Sequence, residues 1–85
     1  MENPKLLEEE LGKYLRLRRK AFDLKQAEVA EKAKLSVTYL SQIENGSSSP
    51  SFITLLKLVE PLKIDLGDLY KQFKPLIDQI KEKEE

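Results

Sequence analysis

The chain of 85 residues contains no cysteine, no histidine and no tryptophan. Those gaps remove thiolate nucleophiles, imidazole bases, disulfides and Cys/His zinc sites together, and nothing in the chain points to an oxidising compartment. Its three glycines are scattered, so no glycine-rich loop is available to cradle a phosphate. The fifteen acidic residues stand without a paired base or a metal-ligand spacing, which makes an enzyme the least supported class. Apolar runs are short and broken by charge, far from the ~20 consecutive residues that a membrane span needs. Met1 is followed by Glu2-Asn3-Pro4, not by a basic and then hydrophobic leader. The expectation is a soluble, cytoplasmic domain with no metal, cofactor or membrane partner and no evident small-molecule ligand.

Neither sign of charge dominates, with fifteen basic and fifteen acidic residues and a net charge of zero. The average hides a pattern. Lys13, Arg16, Arg18, Arg19, Lys20 and Lys25 crowd the first third, whereas Glu2, Glu8, Glu9, Glu10, Glu82, Glu84 and Glu85 lie mostly at the two ends. A basic stretch between acidic ends suits a phosphate backbone, but it also describes an ordinary solvated helix face. The length allows a single core and hence one domain, without staples.

What the chain has in quantity is helical periodicity. A first helix is expected from Lys5 to Phe22, with Leu7, Leu11, Leu15 and Phe22 turned inward. Residues 26–46, QAEVAEKAKLSVTYLSQIENG, read as two short helices at a tight turn. Val29, Ala30 and Ala33 recur at helical spacing in the first, and the pattern breaks at Lys34-Leu35-Ser36. Ser36 is a suitable N-cap, because its hydroxyl can accept a bond from an orphan backbone N–H. In the second, Leu40 and Ile43 face inward and leave Val37, Thr38, Ser41, Gln42 and Asn45 outside. Gly46 then ends the helix, as a left-handed residue does. A polar face on a short exposed helix suits a DNA major groove.

Gly46-Ser47-Ser48-Ser49-Pro50 is a loop, and Ser51 caps a fourth helix. Phe52, Leu55, Leu56, Leu58, Val59 and Leu62 are nearly continuous there, which predicts a central, heavily buried helix. Pro61 should kink or fray its last turn. A fifth helix starts after Asp65, with Asp68 near its positive end, and runs through Leu66, Leu69, Tyr70 and Phe73. Pro75 should interrupt it, leaving Leu76, Ile77 and Ile80 as a narrow apolar stripe before a charged tail. That stripe either packs back on its own domain or, with Phe73, forms the seam of a homodimer.

From Leu11 to Tyr70 the chain resembles the helix-turn-helix domain of the Cro and lambda-type repressor (Xre) family. The match lies in LGKYLRLRRK, in QAEVAEKAKLSVTYLSQIENG and in SPSFITLLKLVEPLKIDLGDLY. The resemblance implies an all-α, five-helix lambda-repressor-like domain at 11–70, preceded by an acidic lead-in at 1–10. Residues 71–85 would form a short C-terminal helical extension, a possible dimerisation element. It places Val37, Thr38, Ser41 and Gln42 at base-contacting positions, where Gln42 can bond bidentately to adenine and the Val37 and Thr38 methyls can touch thymine. Gln26, Tyr39 and Asn45, with Ser47 in the following loop, would meet the sugar-phosphate backbone. Ser36 at the helix start and Lys25 are further phosphate candidates, as are Arg18, Lys20 and Lys57. Arg19 and Glu44 match a structural ion pair joining helix one to the end of helix three, and Ala30 matches the close crossing of helices two and three.

Two departures accompany the resemblance. Lys34 stands where the family usually has glycine, a position that tends to need positive φ, and Pro61 and Lys63 replace small residues near the end of helix four. The function implied is a sequence-specific regulator of transcription, a repressor in the first instance, binding an inverted repeat in double-stranded DNA as a homodimer. A controller of the restriction-modification type has similar size, and an antitoxin or adaptor could reuse the fold. An adaptor would place large aromatics or leucine on helix three, not Val-Thr-Ser-Gln. With no second domain to bind an inducer, control is expected from concentration, dimerisation or degradation.

Overall fold

A computed structural model describes residues 6–84, and these form five helices: α1 (Leu6–Ala21), α2 (Gln26–Ala33), α3 (Val37–Glu44), α4 (Phe52–Leu62) and α5 (Leu66–Glu84). The expected start of helix one at Lys5, and the first half of the acidic lead-in, lie outside the described residues. No helix among the described residues is long and apolar enough to cross a membrane. α1 packs on α3 and α4, and α2 packs on α3 and α4. Leu15, Val29, Ala30, Ala33, Leu40, Ile43, Leu58, Leu62, Ile64 and Leu69 form the core.

The helix ends follow one rule. Asp23, Lys34 and Lys63 each take a left-handed backbone at φ 56, 59 and 52, and Gly46 does so at φ 83. The residue after each donates back into the helix it leaves: Leu24 to Arg19 at 3.1 Å, Leu35 to Ala30 at 2.8 Å, Ser47 to Gln42 at 3.0 Å and Ile64 to Val59 at 2.9 Å. Three of the four following residues are apolar and tuck against the core, the hydrophobic contact that completes this type of cap. The starts are equally local. Ser36 Oγ accepts from Tyr39 N–H at 3.0 Å, Ser51 Oγ from Thr54 N–H at 3.0 Å and Asp65 Oδ1 from Asp68 N–H at 2.9 Å.

The positive φ expected at position 34 is present, and a lysine holds it. Lys34→Gly should therefore relieve the Cβ–carbonyl crowding of the left-handed region, ~1–2 kcal/mol, less the extra chain entropy of glycine in the unfolded state, ~0.5–1 kcal/mol. The expected net gain is ~0–1.5 kcal/mol, each 1 kcal/mol of it read as a rise of ~4–8 °C in melting temperature for a domain this small.

Four expectations change. α4 is not heavily buried: Leu58 and Leu62 are, but Phe52 and Ile53 are each 67% exposed and Leu56 43%. The helix lies at the edge of the bundle, so only one of its apolar stripes meets the core. Phe22 is exposed too, and its ring lies beneath the Arg18 guanidinium at 5.3 Å and the Lys63 ammonium at 5.2 Å. Pro61 lies inside α4 without fraying it, because Lys63 N–H still closes on Glu60 C=O and Arg18 donates to the carbonyls of Leu62 and Lys63. Pro75 does not interrupt α5, which runs on to Glu84. The proline frees one carbonyl on an exposed turn where water can reach it, while Lys74 and Asp78 pair across it at 2.7 Å. The C-terminal extension is thus the second half of α5.

Candidate nucleic-acid interface

α2, a three-residue turn and α3 form the candidate surface. Val29, Ala30 and Ala33 of α2 face Leu40 and Ile43 of α3, and all five are buried. Alanine at 30 and 33 lets the two backbones approach. Burying Leu40 and Ile43 fixes the rotation of α3, because residues three apart share a face. The opposite face is therefore presented outward: Val37, Thr38 and Gln42 are exposed and Ser41 is half-exposed. None of these four side chains belongs to the core.

Around them the structure brings together short polar groups whose remaining hydrogen-bonding capacity faces no protein partner. Ser36 uses an oxygen lone pair to cap α3, which leaves its O–H as a donor. Tyr39 packs half-buried beside the core. Asn45 Oδ1 accepts from the Ser47 backbone N–H at 2.9 Å and from Ser47 Oγ at 2.7 Å, so its amide NH2 is the end left to donate. Ser47 and Ser48 fold back on α3, both backbone N–H groups bonding to the Gln42 carbonyl. Ser48 Oγ touches Gln42 Oε1 at 3.4 Å, a weak bond that a base edge can displace. Lys25 is exposed immediately before α2, where Glu28 accepts from its backbone N–H at 2.9 Å.

The back of α3 is held by an ion-pair network. Arg19 Nε and Nη2 donate to Glu44 Oε2 and Oε1 at 2.7 and 2.9 Å, while Nη1 donates to the Leu24 carbonyl at 2.9 Å. The two side chains are 12% and 4% exposed, and the bond from Glu44 raises the Arg19 pKa above its ordinary value. Gln26 Nε2 donates to the same carboxylate at 3.0 Å. The glutamine amide thus starts from a bond to Glu44, with its second N–H left for a further acceptor. One carboxylate at the end of α3 is thereby tied to α1, to the α1–α2 turn and to the start of α2.

Sequence reasoning overlooked two further supports. At Gly12 a Cβ would sit 2.4 Å from the Ile43 carbonyl oxygen and 2.6 Å from that of Glu44, so α1 and the end of α3 touch backbone to backbone. At Gly46 a Cβ would meet Glu9 at 2.9 Å. A lone glycine inside a helix is disfavoured by about 1 kcal/mol, and that local oddity was the available signal for Gly12. Arg18 also changes role, since its guanidinium caps the end of α4 instead of standing free for a phosphate.

Three residues of the C-terminal stripe, Phe73, Leu76 and Ile77, lie beside α1. Phe73 meets Tyr14 edge-on at 6.0 Å between ring centres, and burial raises the Tyr14 pKa. Leu76 borders a groove with Leu6, Tyr14 and Leu17, and Ile77 another with Leu7 and Leu11. Phe73, Leu76, Ile77 and Ile80 are all half-buried.

Residues 15–69 match the family model described as Helix-turn-helix. The chain belongs to this family. It is similar to the ImmF control region 10 kDa protein of Bacillus phage phi105, at 42% identity over 59 residues, or 69% of this chain and 66% of the phage protein. The chain thus spans just under two thirds of that relative's length. Control protein C.MunI of Mycoplasma sp is 37% identical over 59 residues, covering 69% of this chain and 80% of that protein. Among solved structures, the restriction-modification controller protein C.AhdI from Aeromonas hydrophila superposes with a TM-score of 0.65 at 32% identity, covering 67% of this chain and 86% of its own. The clp gene regulator ClgR from C. glutamicum superposes at 0.70 with 33% identity, covering 74% and 82%.

Proposed function

We propose that the chain represses transcription in the cytoplasm by occupying an inverted-repeat operator as a homodimer, with α3 of each copy in successive major grooves. The observation that carries this reading is the division of α3 into a fully buried apolar face and an outward face of Val37, Thr38, Ser41 and Gln42. Gln42 reads adenine through its amide, Val37 and Thr38 touch thymine methyls, and Ser41 bonds to either base edge. Gln26, Ser36, Tyr39, Asn45, Ser47 and Lys25 hold the sugar-phosphate backbone and set the register. α3 contains no lysine or arginine, so guanine is not the favoured base and A·T steps are. With no cation on α3 itself, neighbouring basic residues and a second copy supply the affinity.

A controller role, setting the level of a neighbouring gene in either direction, is the second reading. It is favoured by the likeness to control proteins, among them a restriction-modification controller. An adaptor role has less support, because the exposed face of α3 lacks the large anchors that dominate protein interfaces.

Selection from random duplex DNA tests the reader directly. The expected result is an enriched A·T-containing inverted repeat, with Gln42→Ala losing about 1–3 kcal/mol of discrimination at its base. Thr38→Ala should relax a neighbouring position while leaving the melting temperature unchanged. Failure to enrich any motif, or enrichment indifferent to both substitutions, would sink the proposal.

A further inference from the structure

We propose that the cleft where α1, α2 and α4 end is a docking site for an acidic segment of a partner protein, held by one large apolar side chain flanked by carboxylates. The cleft has a volume of about 470 Å³. Phe22, Leu24 and Pro61 supply its apolar lining, and Lys32, Lys57 and Lys63, all exposed, its charged lining. A mostly apolar pocket of this size with a few convergent charges suits a large side chain and the backbone on either side of it. The inference stands apart from the DNA reading above.

Charge singles out the occupant. Lys32, Lys57 and Lys63 form no ion pair among the described residues. The Arg18 guanidinium adjoins the cleft over the Phe22 ring, bonded to the carbonyls of Leu62 and Lys63 and not to a carboxylate. Against these four cations stand Glu60, in the lining, and Asp23, between Phe22 and Leu24 in sequence. The chain as a whole is neutral, so the surplus is local. Cations at helix C-termini complement the dipole, which accounts for Lys32 in the last turn of α2 and Lys63 at the end of α4. It does not account for Lys57, more than a turn inside α4, nor for an aromatic ring left 38% exposed among them.

Position favours a protein over a phosphate backbone. Three helix C-termini converge on the cleft, and their carbonyl ends disfavour phosphate, which gathers at helix N-termini instead. Arg18 at 5.3 Å and Lys63 at 5.2 Å already lie over the Phe22 ring, so a base stacking there would have to displace a cation. α4 begins just after the loop that bonds back to Gln42. Its 11 residues carry the chain ~16 Å from that loop before its end reaches the cleft. The outward face of α3 therefore stays open while the cleft is filled, so duplex DNA and a partner can be held at once.

Amide NMR of the isotopically labelled full chain tests the site, with a synthetic peptide of about ten residues carrying aspartates and glutamates around one central phenylalanine as the probe. Amides of Phe22, Leu24, Lys57 and Lys63 should shift, with a dissociation constant of about 10–100 µM that rises with salt. Replacing the acids by their amides, or the phenylalanine by glycine, should each weaken binding at least ~10-fold. Lys32→Glu combined with Lys57→Glu, and independently Phe22→Ala, should do the same, with helical circular dichroism showing each protein folded. The proposal is overturned by the absence of shifts at millimolar peptide, or by a folded double variant that binds as tightly as wild type. Displacement of the peptide by inorganic phosphate or by random duplex DNA also overturns it, since the cleft would then be a general anion or nucleic-acid surface. So does a shift of the same amides when the free protein is diluted, since a second copy would then fill the cleft. The selection from random DNA keeps the two claims apart. Peptide binding in a chain that enriches no motif leaves the docking site standing and removes the DNA reading, whereas an enriched motif without peptide binding does the reverse.

Discussion

Gly12→Ala should destabilise the domain by about 2 kcal/mol, although the same exchange in an exposed helix would stabilise it by about 1 kcal/mol. The new methyl would sit 2.4 Å from one backbone carbonyl oxygen of α3 and 2.6 Å from the next. Neither neighbour is the end of a flexible side chain, so α1 must withdraw from α3. That opens contacts around Leu15, Leu40 and Ile43, all fully buried, and offsets the propensity gain several-fold. A domain of this size has roughly 4–13 kcal/mol of stability in total. With a slope near ~1 kcal/mol per molar urea, the unfolding midpoint should fall by about 2 M. A midpoint that rises would show that α1 and α3 do not approach this closely. The DNA affinity of the folded fraction should fall as well, since the carbonyls that move belong to the end of α3.

The second large effect concerns Arg19 and Glu44. Glu44→Ala leaves the Arg19 guanidinium with only the Leu24 carbonyl and leaves the Gln26 amide without its acceptor. Arg19→Ala leaves a carboxylate that is 4% exposed facing one neutral amide. Removing one partner of a buried pair costs about 3–5 kcal/mol, so either variant should be partly unfolded at 37 °C. The double variant Arg19→Met with Glu44→Leu should recover most of that loss, because two apolar side chains of similar volume strand no charge. It should not recover specific binding, since Gln26 still lacks its anchor. Thermal unfolding of the three proteins, followed by titration of the best site, reads both halves. Single variants as stable as wild type would mean that solvent reaches the pair.

Local chemistry made much of the architecture readable beforehand. Ser36, Ser51 and Asp65 cap helices because each needs only the backbone three residues on, and Gly46 ends α3 within its own turn. The inward positions of α2 and α3 followed from spacing alone, since Val29, Ala30, Ala33, Leu40 and Ile43 each lie on a single stripe. The long-range contacts were harder. Arg19 and Glu44 lie 25 residues apart, and their pairing was accessible only through family resemblance. Apolar periodicity identified a helix at 52–62 but could not say how much of it a neighbour would cover, and so Phe52 and Leu56 were assigned to a core that does not reach them. Pro75 misled for a related reason: the rule against interior proline assumes that nothing else holds the turn, whereas Lys74 and Asp78 span it. The contact at Gly12 is invisible in any pattern of hydrophobicity, because what meets there is backbone.

The four outward side chains of α3 have a freedom that the rest of the helix lacks. Its inner face is set by Leu40 and Ile43, its start by Ser36, its end by Glu44, and its distance from α1 by two glycines. Val37, Thr38, Ser41 and Gln42 take no part in any of this through their side chains beyond the weak touch between Ser48 and Gln42. They can be exchanged almost as letters in a fixed frame. On the proposed base-reading role, new operator preferences are within reach of one or two codon changes without a compensating change in the scaffold, and a library randomised at these four positions should retain folded protein in most of its members.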